Sequence, residues 1–291
     1  MSVAEGLRPW TADEGTRPPR RASLPSVVRW EMEKLVAQLR VRLLCAAAVV
    51  GPVLVVLVVG HQSQPPKDTL FGRYATTSGG SLALLVLGFA GQWMLPLLAS
   101  AVGGDVFASE DQHGTWKTIL TRSASRGSIF WSKVVVAWAA TAVLVALLAG
   151  STVTAALLLG GHAPLVGVSG QELTGSTVVR VLLESWATVL PPALGFASLA
   201  VLVSVATRSA VAGVVAPAVL GLLMQLVGAL GALSSIRPLL LSTPFEAWHG
   251  LLASPRFAGP VVTGLVVSAV WSAVCVAASF VLIRRRDITG G

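Results

Sequence analysis

Charge is what this sequence has least of. Asp, Glu, Lys and Arg make up 12% of its 291 residues, against a hydrophobic share of 54% and a mean hydropathy of +0.77. Soluble domains carry about a quarter charged residues, so a surface facing water on all sides is excluded. The chain reads as an all-α integral membrane protein. The polar residues cluster only in short pieces, which leaves no room for a soluble catalytic domain. Cysteine is scarce as well: Cys45 and Cys275 lie in apolar runs with no second Cys or His at ligand spacing, which argues against a disulfide framework and a zinc site. They read as small buried hydrophobes. The chain has no Gly-x-x-x-x-Gly-Lys-Ser/Thr loop and no hydrophobic strand ending in an acidic magnesium ligand, so it cannot itself hydrolyse ATP. Residues 1–25 hold Arg-Pro-Pro-Arg-Arg (Arg17 to Arg21) but no apolar core before a small-residue cleavage site. They read as a disordered cytoplasmic tail rather than a signal peptide.

What is abundant is apolar sequence in runs of about 20 residues, the length of helix that crosses the hydrocarbon core. Six runs qualify: 43–60, 81–102, 134–159, 178–206, 210–231 and 260–283. Only Arg180 and Glu184 among the charged residues fall inside them, as expected when an unpaired charge in lipid is costly. These two are four apart and share a helix face, which reads as an interfacial ion pair; a proton pathway would need further acids at mid-depth. With both termini inside, 16 of the 21 Lys and Arg residues lie on the inner side, including Arg284, Arg285 and Arg286 in the 284–291 tail. The formal charge of +8 is therefore a topology signal. A nucleic-acid-binding surface is not indicated, because the basic residues hug span ends without interleaved aromatics.

Before the first span, Val28, Met32, Leu35 and Leu39 recur at helical spacing, with Arg29, Glu33, Lys34, Gln38 and Arg40 between them. This predicts an amphipathic helix over 26–42 lying on the inner leaflet, with Trp30 at headgroup depth. The alternative is one long helix continuous with the first span. In the last outer loop, about 232–259, Thr243-Pro244-Phe245-Glu246 reads as a capping box with proline at the first helical position. Phe245, Trp248 and Leu252 then share the apolar face of an interfacial or re-entrant helix.

The connection between spans two and three carries the most information. A helix is expected to run on through Asp105 and Glu110, stop at Gly114 as a C-terminal cap and restart at Thr115. Ser123 or Ser125 then caps the helix bearing Arg126 and Lys133. Glu110 and Arg126 flank one turn and are placed to pair; Asp111, His113, Trp116 and Lys117 are left at the tip of a compact polar knob. A solvated mixed-charge loop is the plainer reading of the same residues. The run Asp105-Val-Phe-Ala-x-Glu110, Gly114-Thr115, Lys117-x-x-Leu120-x-Arg122, Ser125-Arg126 and Lys133 resembles the signature of permease subunits of the ABC type-2 exporter family. The layout of the whole chain resembles it too, and Trp116 departs from the usual aliphatic residue.

That resemblance implies a six-span permease domain over 43–283, both termini cytoplasmic, working as a homodimer or with a paralogue. It also implies that the 105–126 loop docks on a separate nucleotide-binding ATPase subunit through Asp105, Glu110, Asp111, His113, Gly114, Thr115, Trp116, Lys117, Arg122 and Arg126. No cofactor is expected on this chain; ATP and magnesium belong to the partner. Spans two and five would face the dimer axis, which makes Gln92 and Gln225, the strongly polar amides of the spans, candidates for pathway or interface contacts. Glue between helices of one subunit is the alternative for them. Gly88, Gly91, Gly213, Gly221, Gly228 and Gly231 would allow close helix contact. Pro52, Pro96, Pro191, Pro192 and Pro217 are either hinges or packing kinks. The expected location is a bacterial plasma membrane, and the expected direction of transport is export. Two other classes stand beside this one. One is a non-transporting membrane scaffold. The other is a rhomboid-like intramembrane serine protease suggested by Gly167-Val168-Ser169-Gly170, opposed by the absence of histidine from 260–283; His249 lies in the preceding loop.

Overall fold

The computed structural model describes residues 23–62, 69, 71–113, 125–230 and 235–285, with the side chains of 108–113 left aside. Among the described residues, six helices are long and apolar enough to cross a membrane: Leu39–Gly60, Gly79–Phe107, Arg126–Leu159, Ser176–Thr207, Ala210–Ala229 and Gly259–Arg285. The chain is a multi-pass membrane protein of helical fold. Strand pairing among these residues amounts to a two-residue antiparallel hairpin that pairs Leu165 with Leu173 and Val166 with Glu172, and one isolated bridge between Ser78 and His162. The glycine-rich turn between those strands closes through Gly167 N–H to the Gln171 carbonyl at 2.8 Å, with Gly170 at φ +79°.

In chain order the helices are α1 (Leu24–Ala37), α2 (Leu39–Gly60), α3 (Gly79–Phe89), a π-helical turn (Ala90–Met94), α4 (Leu95–His113) and α5 (Arg126–Leu159). They continue as α6 (Ser176–Thr188), α7 (Leu190–Thr207), α8 (Ala210–Ala229), a 3₁₀ helix (Thr243–Leu252) and α9 (Gly259–Arg285). Several start before the apolar runs do, because caps rather than hydropathy end a helix. Ser125 Oγ accepts from the Ser128 N–H at 3.1 Å, which starts α5 eight residues ahead of its apolar run, and Ser209 Oγ accepts from Ala212 N–H at 3.2 Å. The amphipathic segment and the first span are two helices, not one. Gln38 interrupts them in extended geometry (φ −73°, ψ 128°), and Arg42 Nε donates to the Val36 carbonyl at the end of α1 at 3.0 Å.

The second and fourth spans form the centre: 61% and 67% of their most apolar stretches are buried, against 17% for the first and 22% for the fifth. They can approach their neighbours closely because glycine stands where they cross. A Cβ on Gly103 would sit 2.4 Å from the Ala197 carbonyl oxygen of α7, and one on Gly104 would sit 2.5 Å from the Gly213 carbonyl carbon of α8. Gly213 and Gly221 therefore serve contacts inside the chain, the latter against Phe196.

Proline shapes the spans through the carbonyls it leaves without a donor one turn back. Pro52 has no N–H for the Ala48 carbonyl, and Ser151 Oγ of α5 donates to it at 3.0 Å. Pro96 has none for the Gln92 carbonyl, and Gln225 Nε2 of α8 donates there. Pro191 and Pro192 open α7 directly after Val189, where α6 ends. The Thr243 capping box does not form: Thr243 Oγ1 donates to the Arg237 carbonyl at 2.6 Å, and Glu246 turns to Arg237 and Gln92. The segment winds as a 3₁₀ helix, and Phe245, Trp248 and Leu252 are all buried against the bundle.

Gly104→Ala should lower the thermal midpoint in detergent by the equivalent of about 1–3 kcal/mol, because the new methyl meets backbone rather than a side chain that can turn aside. Gly51→Ala, with open space around its Cβ, should leave the midpoint unchanged. Equal midpoints for both variants would contradict the crossing geometry.

Candidate functional site

The polar loop 105–126 leaves the bundle from the end of α4 and returns through α5. Glu110, Asp111, His113, Gly114, Thr115, Trp116, Lys117 and Arg122 lie outside the residues whose side chains are described, and so does the expected Glu110–Arg126 pair. The backbone of α4 runs on to His113. Described in full are Asp105, Arg126 and the mount on which both flanks of the loop stand.

That mount is built from ions. Lys133 of α5 is 1% exposed, and its ammonium lies 3.0 Å from Glu31 Oε2 of α1, itself 5% exposed. The same Nζ donates to the Val106 carbonyl of α4 at 3.1 Å and sits over the ring of Phe107 at 5.8 Å. Phe107 packs on Phe130 and Phe130 on Phe280, so aromatic side chains from α4, α5 and α9 close the apolar side of the cluster. Two residues beyond the interruption at Gln38, Arg40 forms an ion pair with Asp105. Two pairs thus bind the N-terminal segment to the loop's flanks, one at each end of the break between α1 and α2. Lys133 and Glu31 are both buried, so leaving either alone is costly, whereas the half-exposed Arg40 leaves its pair with Asp105 screened by solvent.

Glu31 escapes a reading by hydropathy, which places the buried stripe on Val28, Met32, Leu35 and Leu39. In the structure the inward face of α1 centres on Val27, Glu31 and Leu35, while Leu39 belongs to the next helix and is exposed. The only sequence signal was the four-residue spacing of Glu31 from two aliphatic residues, together with a lysine, Lys133, eight residues inside a long apolar helix. The outward face of α1 carries Trp30, Arg29 and Glu33, with Arg29 Nε bonded to Glu33 Oε1 at 2.8 Å. That hydrogen bond, and the carboxylate's charge behind it, raise the Arg29 pKa further above neutrality.

Gln92 and Gln225 do meet, and they meet within the chain. Gln92 occupies the π turn in the middle of the second span, a local winding that is common at functional positions. Its carbonyl takes the Gln225 amide, and its own Nε2 lies 3.4 Å from Glu246 Oε1, while Arg237 reaches Glu246 Oε2 at 2.8 Å. The chain Arg237–Glu246–Gln92–Gln225 runs from the segment before the last span into the bundle. Arg180 and Glu184 pair at 2.7 Å, and Arg256 joins them at 3.0 Å, tying α6 to the segment that precedes α9. Ser169 Oγ accepts the Ser254 N–H at 2.9 Å, and His249 Nδ1 bonds the Glu246 carbonyl oxygen at 2.8 Å, so both brace loops.

Lys133→Met should cost about 3–5 kcal/mol of stability, read as a drop in thermal midpoint, because it strands the Glu31 carboxylate in a dry site. The double variant Glu31→Leu/Lys133→Met should recover most of that loss. A double variant as unstable as the single would refute the pairing.

No curated protein matches the chain. A family described as "Protein of unknown function (DUF2705)" matches residues 73–289, about three quarters of the sequence, from just before the second span to the end of the sixth, and the chain belongs to that family.

Proposed function

We propose that this chain is the membrane permease subunit of an ATP-driven ABC exporter of the type-2 kind, working as a dimer with a separate pair of ATPase subunits. The reading rests on the 105–126 motif, and one structural observation favours it over a merely solvated loop. Both flanks of that loop are held by ion pairs, Lys133 to Glu31 of α1 and Asp105 to Arg40 at the start of α2. A loop with no mechanical task needs no such mount. Force delivered to the knob by ATP-driven closure of the partner would reach the ends of α4 and α5 together with α1. From there it would pass into the second span, the bundle's buried centre, through the crossings at Gly103 and Gly104.

In this reading both termini are cytoplasmic, α1 lies along the inner leaflet, and the 3₁₀ segment with its Arg237–Glu246 pair covers the outer mouth. The second copy or paralogue would seat on the exposed stripe Phe89, Trp93 and Leu97 of the second span, where large apolar residues face outward one turn apart on an otherwise buried helix. ATP and magnesium are held by the partner.

The test is purification of the tagged protein from its native host in mild detergent. A stoichiometric subunit with nucleotide-binding motifs should come with it and be lost when Gly114 and Thr115 are both replaced. Glu110→Ala and Arg126→Ala should insert normally and abolish stimulation of the partner's ATPase. A folded protein recovered alone would overturn the reading, and unchanged stimulation in both variants would remove the loop's role in coupling.

A further inference from the structure

The N-terminal helix leaves a groove open along one side. Leu24, Val28, Met32 and Val36 recur every four residues on α1, beside the buried line Val27, Glu31 and Leu35. They wall a groove of about 760 Å³, to which α5 contributes Val135 and α2 contributes Arg42. Its volume is that of a site for a sizeable ligand, roughly 300–1,000 Å³. Leu24, Val36 and Val135 are exposed, so no described element covers the apolar wall. Three charged side chains border it. Arg29 and Glu33 cancel, with Nε 2.8 Å from Oε1. Arg42 has no counter-charge among the described residues. Its Nε donates to the Val36 carbonyl at 3.0 Å, which fixes the guanidinium at the end of α1 and leaves its two terminal nitrogens open.

Position and charge select the occupant. Arg42 directly precedes the first apolar run, 43–60, so in a membrane it stands where hydrocarbon gives way to headgroups. Lipid phosphates lie at that depth, and a guanidinium open at both terminal nitrogens offers a fork to two oxygens of one phosphate. The apolar wall beside it suits an acyl chain, which a soluble anion lacks. We propose that this groove binds one anionic phospholipid, its phosphate on Arg42 and an acyl chain against the Leu24–Val36 stripe. A zwitterionic lipid would bring a cation to a rim that is already net positive. Residues 1–22 complement that rim no better, because Arg17, Arg20 and Arg21 are the charges nearest to Leu24 in the sequence. A lipid seated there joins α1 to α2 and α5 by a contact additional to the Glu31–Lys133 pair. The inference rests on the membrane-spanning fold and is independent of the permease reading.

The experiment is native mass spectrometry of the full-length protein in detergent, titrated with phosphatidylglycerol and separately with phosphatidylcholine of the same acyl chains. The first phosphatidylglycerol should bind about fivefold more tightly than the first phosphatidylcholine, the factor that one basic residue near a membrane surface supplies. Arg42→Gln should erase that preference and leave phosphatidylcholine unchanged, while Arg42→Lys, which keeps the charge but gives up the fork, should retain part of it. Val135→Asn, an exposed position that leaves Arg42 intact, should weaken both lipids alike and serves where the Arg42 variants fold poorly. Arg285→Gln, exposed at the end of α9 and outside the groove, should change neither lipid. Glycerol 3-phosphate, a headgroup without tails, should displace neither at equal concentration. Equal affinity for the two lipids overturns the proposal, as does a preference that survives Arg42→Gln. So does displacement by glycerol 3-phosphate, or binding of both lipids that Val135→Asn leaves unaltered.

Discussion

The constraint on which this structure depends is that a membrane-spanning backbone has to satisfy its own polar groups. Within a regular helix this is automatic, so the informative places are where the helix fails. Pro52 and Pro96 each leave a carbonyl without its usual donor, and in both cases a polar side chain from a sequence-distant helix supplies one: Ser151 for Ala48, Gln225 for Gln92. The first contact fastens the peripheral α2 to α5, and the second fastens the equally peripheral α8 to the central span. These two helices bury little of their apolar surface in the chain. In lipid, apolar burial drives helices together only weakly, because the alternative surroundings are as apolar as the neighbour. Specific hydrogen bonds and close glycine crossings therefore set which helices touch, and proline creates the demand for those bonds.

The same logic extends to charge. Lys133 is buried just ahead of the apolar run of its helix, where an unpaired ammonium would be expensive, and the structure brings α1 over it so that Glu31 supplies the counter-charge. The amphipathic helix is thus fixed by electrostatics as much as by its apolar stripe. Its position cannot change without breaking a buried pair or moving α4 and α5 with it. Arg40 with Asp105 repeats the arrangement beyond the interruption at Gln38, so α1 and the start of α2 are each tied to α4 or α5. Rigidity at the root of the 105–126 loop follows from these two pairs, whatever binds at its tip.

The spans were legible in the sequence because their signal is additive: some 20 apolar residues outweigh any single exception, and the six runs coincide with the six helices. The cap at Ser125 and the start at 210 were legible too, whereas the end of the amphipathic helix at Ala37 and the start of the first span at Leu39 were not, because hydropathy does not resolve the break at Gln38. Glu31 was illegible because an acid on an apolar face is read as belonging to the other face unless its partner is known, and Lys133 lies 102 residues away. The capping box at Thr243 was a sound local pattern that lost to distant partners, because Arg237 and Gln92 take the two Glu246 oxygens. Gln92 and Gln225 were visible as the polar amides of the spans, but only the spacing of Gln92 to Pro96, one turn, pointed to why a donor is needed there.

One consequence joins the two ends of the molecule. The second span carries both the mount of the loop, at Asp105 and Val106, and, across Pro96 and the π turn, Gln92 at the head of the chain that reaches Glu246 and Arg237. A π turn holds one residue more than the α turn it replaces and returns to α geometry by a shift along the helix, so it is the place in this span where winding can change with the least loss of bonding. Its carbonyl accepts from Gln225, and its side chain reaches the 3₁₀ segment. Movement of α4 relative to α3 would therefore reach Glu246 of the 3₁₀ segment through Gln92. The glycines at 103 and 104 let α4 slide against α7 and α8 without side chains interlocking, which places the freedom to move on one side of Pro96 and the polar restraint on the other.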